Sequence, residues 1–412
     1  MITQDAFITG QFLIGTILGK MDLRNKRRVK FIKHVLMLIL GIRGRLNFQQ
    51  MGRQGGRNEK SYRYQFEKEF DWLSFNRLLI SESCSEELII GFDPSFITKS
   101  GKSTPNLGFF YSGCAGSYKY GMEIGSFAVI DIRQNTAYHL EAVASPSAKK
   151  DHLRGDKTLV DHYASILKDR SEELSQISSI LVCDGYFAKK KYVDAVCEYT
   201  SMELISRLRD DANLKYLYQG EQKIGRGRPR KHDGKVDVNN IDISRMKMEM
   251  SDEEKTIYST IVYSVGLKRN IKLCYVEFQT GKHKDVIKLF FSTNTERSSQ
   301  QILKYYRARY QMEYIFRDAK QHMGLQQCQA RSKNKLHFHF NATLTSVSIA
   351  KCILRYGVPT NKEIPLSISN VKVEFQNRNM LKRIFSIYGF DHKLIKINRR
   401  HRQVLDFGKI AA

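Results

Sequence analysis

The spacing of apolar residues along the chain changes from one region to the next. In the first 80 residues apolar positions recur at helical spacing, as in residues 26–42, which predicts a helical N-terminal region. From residue 88 the apolar positions form short runs separated by turns, at 88–92, 107–114 and 122–132, which predicts an antiparallel strand meander. The N-terminal part of the chain therefore changes from helices to strands near residue 85.

Helical and strand patterns then alternate, which predicts a mixed α/β sheet. The expected elements are a helix at 157–168, a strand at 177–183, a helix at 189–199 and a strand at 202–208. Alternating apolar positions between 210 and 296 predict a β-rich insertion that carries a flexible basic loop. A long helix at 299–323 and another at 340–354 follow, and a basic, partly helical tail starts near residue 361.

The charge balance points to an anionic polymer as partner. Lysine and arginine number 68 against 42 acids, a net charge of +26. The longest apolar run near the N-terminus, residues 35–42, is far shorter than the ~20 residues that span a bilayer, so we expect no membrane segment. Seven scattered cysteines without a C-x-x-C pair indicate reduced thiols in the cytoplasm. His337 and His339 alternate with phenylalanines, which favours packed histidines over metal ligands.

Two aspartates stand at comparable places in the predicted sheet. Asp93 follows the run Leu-Ile-Ile-Gly-Phe, and Asp184 follows Ile-Leu-Val-Cys. A buried strand that releases an acid near its end puts a carboxylate at the sheet edge, and adjacent strands would bring two such acids close together. Because like charges repel at that distance unless a cation lies between them, the pair suggests a Mg²⁺ or Mn²⁺ site, although acids often end strands in proteins without one.

The predicted helix 299–323 carries Tyr306, Arg309, Glu313 and Lys320 along one side. At about 100° per residue their positions fall within a stripe about 60° wide, beside a separate apolar arc. A solvated amphipathic helix would also explain a pair between Arg309 and Glu313, but not the alignment of the tyrosine and the lysine with it.

The spacing Y-x2-R-x3-E-x6-K of these four residues resembles the YREK signature of a family of bacterial insertion-sequence DDE transposases. Asp93 and Asp184 stand where that family's first two catalytic aspartates would, and the segment 206–214 is similar to the strand and turn that precede its β-rich insertion. The resemblance covers roughly residues 85 to 350.

The resemblance implies a ribonuclease H-like catalytic domain in which Asp93, Asp184 and Glu313 are catalytic and hold two Mg²⁺ ions, with Mn²⁺ as a substitute. Tyr306, Arg309 and Lys320 would hold the DNA. The implied activity is cut-and-paste transposition: binding of terminal inverted repeats, cutting, and joining of the 3′ ends to target DNA, with a homodimer as the working form and a hairpin as an intermediate. In hairpin-forming relatives a tryptophan of the insertion stacks on a flipped base, whereas the single Trp here is Trp72, in the N-terminal region. Tyr258 and Tyr263 are alternatives in the insertion.

The basic loop 225–231 resembles an AT-hook, in which an extended Arg-Pro-Arg core enters a narrow minor groove. It makes Arg226, Arg228 and Arg230 candidate DNA-binding residues, while a disordered loop that attaches to any duplex is the simpler alternative.

We therefore expect an α/β fold, a ribonuclease H-like mixed sheet interrupted by a β-rich insertion, in five segments. These are a helical DNA-binding head, the first part of the catalytic domain, the insertion, the second part, and a basic tail, at residues 1–80, 81–209, 210–296, 297–360 and 361–412. The head could instead be a helical cap on the next domain. A bacterial, cytoplasmic and nucleoid-associated enzyme is expected, and the alternatives are a transposase-derived DNA-binding regulator and another ribonuclease H-like nuclease.

Overall fold

A computed structural model describes residues 5–147, 157–222, 228–279, 286–359, 362, 364–389 and 399–410. The chain forms two compact units. The first contains Met1–Glu87, Pro94–Leu153 and Gln311–Ala412, and the second contains Leu88–Asp93 and Arg154–Tyr310.

Within these ranges the helices and strands are numbered separately in chain order. The helices are α1 Ala6–Lys20, α2 Lys26–Gly41, α3 Phe48–Gly55, α4 Glu59–Glu67, α5 Trp72–Ser81, α6 Leu159–Asp169, α7 Ser171–Ser175, α8 Lys190–Tyr199, α9 Ser299–Ala308, α10 Gln311–His322, α11 Lys333–Arg355, α12 Ile368–Ile387 and α13 Arg399–Asp406. The strands are β1 Leu88–Ile97, β2 Gly108–Ser112, β3 Ser117–Asp131, β4 Thr136–Ala144, β5 Ile180–Cys183, β6 Glu203–Arg207, β7 Leu214–Leu217, β8 His232–Lys235, β9 Lys247–Ser251, β10 Lys255–Ser264, β11 Arg269–Phe278 and β12 Val286–Ser292.

The N-terminal region is helical, as its apolar spacing predicts. Each of its five helices begins after an aspartate or asparagine whose side-chain oxygen accepts a hydrogen bond from a backbone N–H of the first turn. The five capping residues are Asp5, Asn25, Asn47, Asn58 and Asp71. Such caps satisfy donors that the helix itself leaves unpaired. Polar capping residues therefore define where the helices of this region begin.

An aromatic cluster joins these helices to α11 within the first unit. The ring centroid of Phe338 lies 4.3 Å from that of Phe66, 5.1 Å from that of Trp72 and 6.4 Å from that of Phe31. Trp72 is buried, so the only tryptophan of the chain belongs to the core. The apolar faces of these helices thus form a cap on α11, and a DNA-binding role for their exposed basic face remains a prediction.

α11 also packs against β4, which pairs with β3 in the antiparallel strands β2, β3 and β4 of the first unit. Asn341 accepts a hydrogen bond from the Ala142 backbone N–H and donates one to its carbonyl oxygen, at 2.8 and 2.9 Å. His339 is buried against the Gly324 carbonyl oxygen, at 3.0 Å, and burial lowers its pKa to about 4. It is a packed histidine, as expected. The sequence analysis did not predict β4, which begins just after Asn135, a turn residue with a φ of 48°.

The second unit contains a mixed sheet. Its strand order is β1-β5-β6-β12-β11-β10-β7-β8, with β9 paired to β10. The first three strands are parallel and the others pair antiparallel, so the prediction of a mixed α/β fold is confirmed. β12 pairs directly with β6, with Phe290 opposite Arg207. The strands expected of an insertion at 210–296 therefore extend this sheet, because they cover the edge of β6 that would otherwise be unpaired.

The five expected segments stay a prediction, and the two units group the chain in another way. Residues 1–80 share the first unit with the tail, and the strands at 210–296 share the second unit with β5 and β6. In the described part of the chain no helix is long and apolar enough to cross a membrane.

The aromatic cluster predicts a large effect of one core substitution. Phe338→Ala should lower the free energy of unfolding by about 3–5 kcal/mol, because a fully buried ring is replaced by a cavity. Urea denaturation followed by circular dichroism measures this. Tyr64→Ala, on the exposed face of α4, is the control and should cost less than about 1 kcal/mol. Equal losses in both variants would show that the cluster does not hold the first unit together.

Candidate active site

The register between β1 and β5 places two carboxylates side by side in the second unit. Phe92 pairs with Cys183 in the parallel ladder, so Asp93 and Asp184 each follow a paired residue. Neighbouring strands lie roughly 4.8 Å apart. Asp184 directly follows the end of β5, as expected, whereas β1 continues to Ile97. The prediction that Asp93 ends its strand is therefore wrong, because the apolar positions after Pro94 extend β1 by four residues.

Side-chain alternation directs Asp93 to the face of the sheet that carries α9. The ring of Phe92, the preceding residue, packs on the opposite face against Tyr163 and Phe187, with centroid distances of 5.3 and 5.4 Å. On the α9 side, the Arg309 guanidinium lies 3.6 Å from the Asp93 carboxylate. Both side chains are mostly buried, so this ion pair is shielded from water.

Asp184 is held by its own turn and by the neighbouring strand. Its side chain accepts a hydrogen bond from the Tyr186 backbone N–H at 3.0 Å, and the Ser206 hydroxyl donates to its carbonyl oxygen at 2.8 Å. A Cβ added at Gly185 would lie 3.1 Å from the Arg207 carbonyl oxygen, so this position requires a glycine or a shift of β6. Burial raises the pKa of Asp184, and the nearby positive charge of Arg309 opposes that effect.

Arg309 marks the point where the predicted long helix breaks. The structure has α9 and α10 in place of one helix at 299–323. The Arg309 backbone N–H is shared between the carbonyl oxygens of Tyr305 and Tyr306, and that of Tyr310 donates to the Arg307 carbonyl oxygen, three positions back. Tyr306 and Arg309 therefore belong to the second unit, and Glu313 and Lys320 to the first. The prediction of a single helix is wrong because hydrogen bonds of this tighter type end α9 at Ala308.

Tyr306 lies near Arg309 in the second unit. Its ring centroid is 4.8 Å from that of Phe290 and 5.8 Å from the Arg309 guanidinium carbon. Burial raises the pKa of Tyr306, while Arg309 and Arg207 act in the opposite direction. The sequence analysis did not select Arg207, whose buried Nε has no hydrogen-bond partner among the described residues. A sequence signal for Arg207 does exist. This arginine stands two residues after the apolar segment Leu204–Ile205, on the strand beside Asp184.

Glu313 and Lys320 lie on one side of α10 in the first unit. They are seven positions apart in the sequence, which places them roughly 20° apart around the helix. The Lys320 ammonium donates to the Ser95 hydroxyl at 2.9 Å, and burial lowers its pKa. The neighbouring apolar arc is confirmed, since Met312, Ile315 and Ala319 are buried.

The carboxylate pair has the donor chemistry of a divalent-cation site. Hard divalent cations prefer carboxylate oxygens, and Asp93 and Asp184 occupy matched positions on adjacent strands. In the described part of the chain no group of three or more His, Cys, Asp or Glu side chains is arranged to hold a metal ion. Strand register thus pairs two candidate ligands, and metal binding by Asp93, Asp184 and Glu313 remains a prediction.

The basic loop is described only in part. Arg226 lies outside the described residues. Arg228 is exposed, and Arg230 pairs with Asp233 at 2.6 Å and lies over the ring of Tyr218 at 4.9 Å. Tyr258 and Tyr263, the alternatives for base stacking, are half-buried on β10. None of these contacts tests minor-groove binding.

Comparison with known families shows the family to which the chain belongs. The family described as Transposase DDE domain matches residues 103–349, which is 247 of 412 residues and more than half of the chain. The chain belongs to this transposase family. The match includes Asp184, Tyr306, Arg309, Glu313 and Lys320, whereas Asp93 precedes it by ten residues. A search of curated proteins gave no match. The prediction of a DDE transposase is confirmed, and Asp93 is linked to the candidate site of this transposase by strand register and by its ion pair with Arg309.

The raised pKa of Asp184 predicts a stability gain when its charge is removed. In chelator-containing buffer Asp184→Asn should raise the Tm of the transposase at pH 8, because the buried carboxylate disfavours folding when it is ionised. A raised native pKa contributes stability that is present below the unfolded pKa of about 3.9 and is lost as the pH rises through the native pKa. The difference in Tm should therefore shrink toward zero near pH 4.

Calorimetry of wild type, Asp184→Asn and the exposed control Asp169→Asn measures this effect. A variant Tm equal to or below that of wild type at pH 8 would contradict the assigned burial of this charge.

Proposed function

We propose that this transposase cuts DNA at the ends of its element and joins the 3′ ends to target DNA, with Asp93, Asp184 and Glu313 as metal ligands. The observation that carries the proposal is the paired placement of Asp93 and Asp184 on adjacent parallel strands, facing the Arg309 guanidinium. The family match supports the transposase assignment. The antiparallel strands β2 to β4 and the parallel order β1-β5-β6 support a ribonuclease H-like core.

The carboxylates fit Mg²⁺ or Mn²⁺ by donor type. When bound, two such ions would activate the attacking oxygen and stabilise the charge that develops on the leaving oxygen. Asp93 and Asp184 would supply ligands from the second unit, and Glu313 would supply one from α10. The backbone N–H of Tyr186 and the hydroxyl of Ser206 hold Asp184 in place, so its oxygens are preoriented.

Arg309 and Lys320 are proposed to bind DNA phosphates. A guanidinium carries five donors in a planar arrangement that suits phosphate oxygens, and Arg309 lies beside Asp93 at the proposed site. Lys320 is partly desolvated, and a nearby phosphate would favour its charged form. Tyr306 would contact the terminal nucleotide beside Arg309.

Wider DNA contacts are proposed for the basic surface of the chain. The net charge of +26 favours a duplex as partner, and Arg226, Arg228 and Arg230 of the loop 225–231 would enter the minor groove. A homodimer would bring together the two inverted repeats. If cutting proceeds through a hairpin, Tyr258 or Tyr263 would stack on the flipped base, because Trp72 is buried in the first unit.

The metal-ligand proposal predicts a loss of cutting without a loss of binding. Asp93→Asn, Asp184→Asn and Glu313→Gln should each reduce cutting at least about a hundredfold, because each removes a ligand and retains side-chain shape. The assay incubates each protein with a plasmid that carries the element's flanks, in Mg²⁺ or Mn²⁺, and maps the cut ends. Asp169→Asn is the matched control and should cut normally.

A variant that cuts as well as wild type would remove its residue from the assignment. Products in which DNA is joined to DNA distinguish a transposase from a hydrolytic nuclease of the same fold. Binding without cutting by wild type in both metals would favour a DNA-binding regulator.

The phosphate role of Arg309 and Lys320 predicts a change in the salt dependence of binding. Arg309→Ala and Lys320→Ala should each lower the slope of log K against log salt by about 1, since each removes one phosphate contact. Fluorescence anisotropy with an end-derived duplex between about 50 and 200 mM salt measures the slope. Arg309→Lys, which keeps the charge, should retain the slope. Unchanged slopes in both alanine variants would exclude the phosphate role.

A further inference from the structure

A cavity of about 480 Å³ lies in the first unit. Its walls come from the β3–β4 turn, α10, α11 and residues 364–366, and we call it the α10–α11 cavity. Its volume falls within the range of small-molecule sites in proteins. Asp318, which lines it, lies roughly 140° around α10 from Glu313. Arg317, which also lines the cavity, lies roughly 40° around α10 from Glu313, so the cavity adjoins the side of the helix that carries this glutamate.

The charges that line the α10–α11 cavity are mainly positive. Among the described lining residues, Arg317, Lys351 and Arg355 carry three positive charges against one negative charge on Asp318, a net +2. Arg317 donates to Asp318 at 3.0 Å and lies at the exposed rim. Lys351 is 2% exposed and Arg355 is 6% exposed, so two cations are buried in the wall. Buried charges are costly unless they are paired, and one carboxylate cannot compensate three cations.

The buried cations have unused hydrogen-bonding capacity. The Lys351 ammonium donates to the Ala137 carbonyl oxygen at 2.9 Å, and the Arg355 guanidinium donates to the carbonyl oxygens of Gln134 and Lys362 at 2.9 and 3.3 Å. The Nε atom of Arg355 is buried and has no partner among the described residues. Carbonyl oxygens are neutral, so these contacts satisfy donors without balancing the charge. Burial lowers the pKa of Lys351 to about 8, which agrees with an uncompensated cation.

We infer that the α10–α11 cavity binds a phosphate group through Arg317, Lys351 and Arg355. Arginine and lysine are the side chains that bind phosphate in proteins, and a doubly charged anion balances the net +2 of the wall. The phosphate could come from a free nucleotide or from the backbone of bound DNA. The lining residues of this site do not include the proposed metal ligands Asp93, Asp184 and Glu313, so variants of the cavity retain all three carboxylates.

The test uses the full chain with inorganic phosphate and deoxyadenosine 5′-monophosphate as probes in calorimetry, and a 30-base-pair duplex in anisotropy. Lys351→Met removes a buried charge, and Arg317→Gln removes the charge at the exposed rim while keeping an amide donor for Asp318. Arg331→Gln, exposed and outside the cavity, is the matched control. Circular dichroism verifies folding, and Arg317→Gln keeps the test valid if Lys351→Met does not fold.

Binding of either small probe by wild type, weakened about tenfold or more by both cavity variants and not by the control, would support a free phosphate ligand. If neither small probe binds, but the cavity variants weaken duplex binding about tenfold and lower the salt slope by about 1, the phosphate is that of DNA. Cavity variants that bind every probe like wild type would overturn the inference, as would a wild type that binds no phosphate. DNA cutting by the cavity variants and by the carboxylate variants is measured in parallel. A loss of cutting that is confined to the carboxylate variants bears on the proposed metal site and not on the cavity.

Discussion

The register between β1 and β5 is the constraint on which the candidate active site depends. A shift of one residue in this parallel ladder would turn Asp93 to the opposite face of the sheet, away from Arg309. Two carboxylates so placed would repel each other and lose hydration, and the buried Arg309 charge offsets part of that cost. Burial of the ionised Asp184 carboxylate therefore lowers the free energy of unfolding. Such a loss of stability is typical of positions selected for binding a cation or a phosphate.

Support for this arrangement comes from apolar packing in the second unit. Phe92 packs with Tyr163 and Phe187 on one face of the sheet, which fixes the orientation of the strand that carries Asp93. In the first unit α11 has the corresponding role, since Phe338 packs against the N-terminal helices and Asn341 bonds to β4. In each unit, aromatic rings, and in the first unit also the Asn341 amide, thus join elements that are far apart in the sequence.

The sequence predicted those features that depend on local chemistry. Apolar residues at helical spacing marked the N-terminal helices, an apolar run marked β5 up to Asp184, and the spacing of Tyr306 to Lys320 indicated the transposase family. It did not predict the features that depend on hydrogen bonds between distant or competing groups. The break after Ala308 arises from a choice between two backbone hydrogen-bond patterns, and the pairing of β12 with β6 joins residues 83 positions apart, Arg207 and Phe290. Arg207 was missed because its position near Tyr306 follows from this strand pairing, which the sequence did not predict.

Metal binding by the carboxylate pair is the central claim, and Mn²⁺ titration followed by electron paramagnetic resonance tests it most directly. The account predicts that wild type depletes the signal of free Mn²⁺, and that Asp93→Asn and Asp184→Asn each lose this binding while Asp169→Asn retains it. Equal Mn²⁺ binding by wild type, Asp93→Asn and Asp184→Asn would contradict the account, because the ions would then lie elsewhere on the protein.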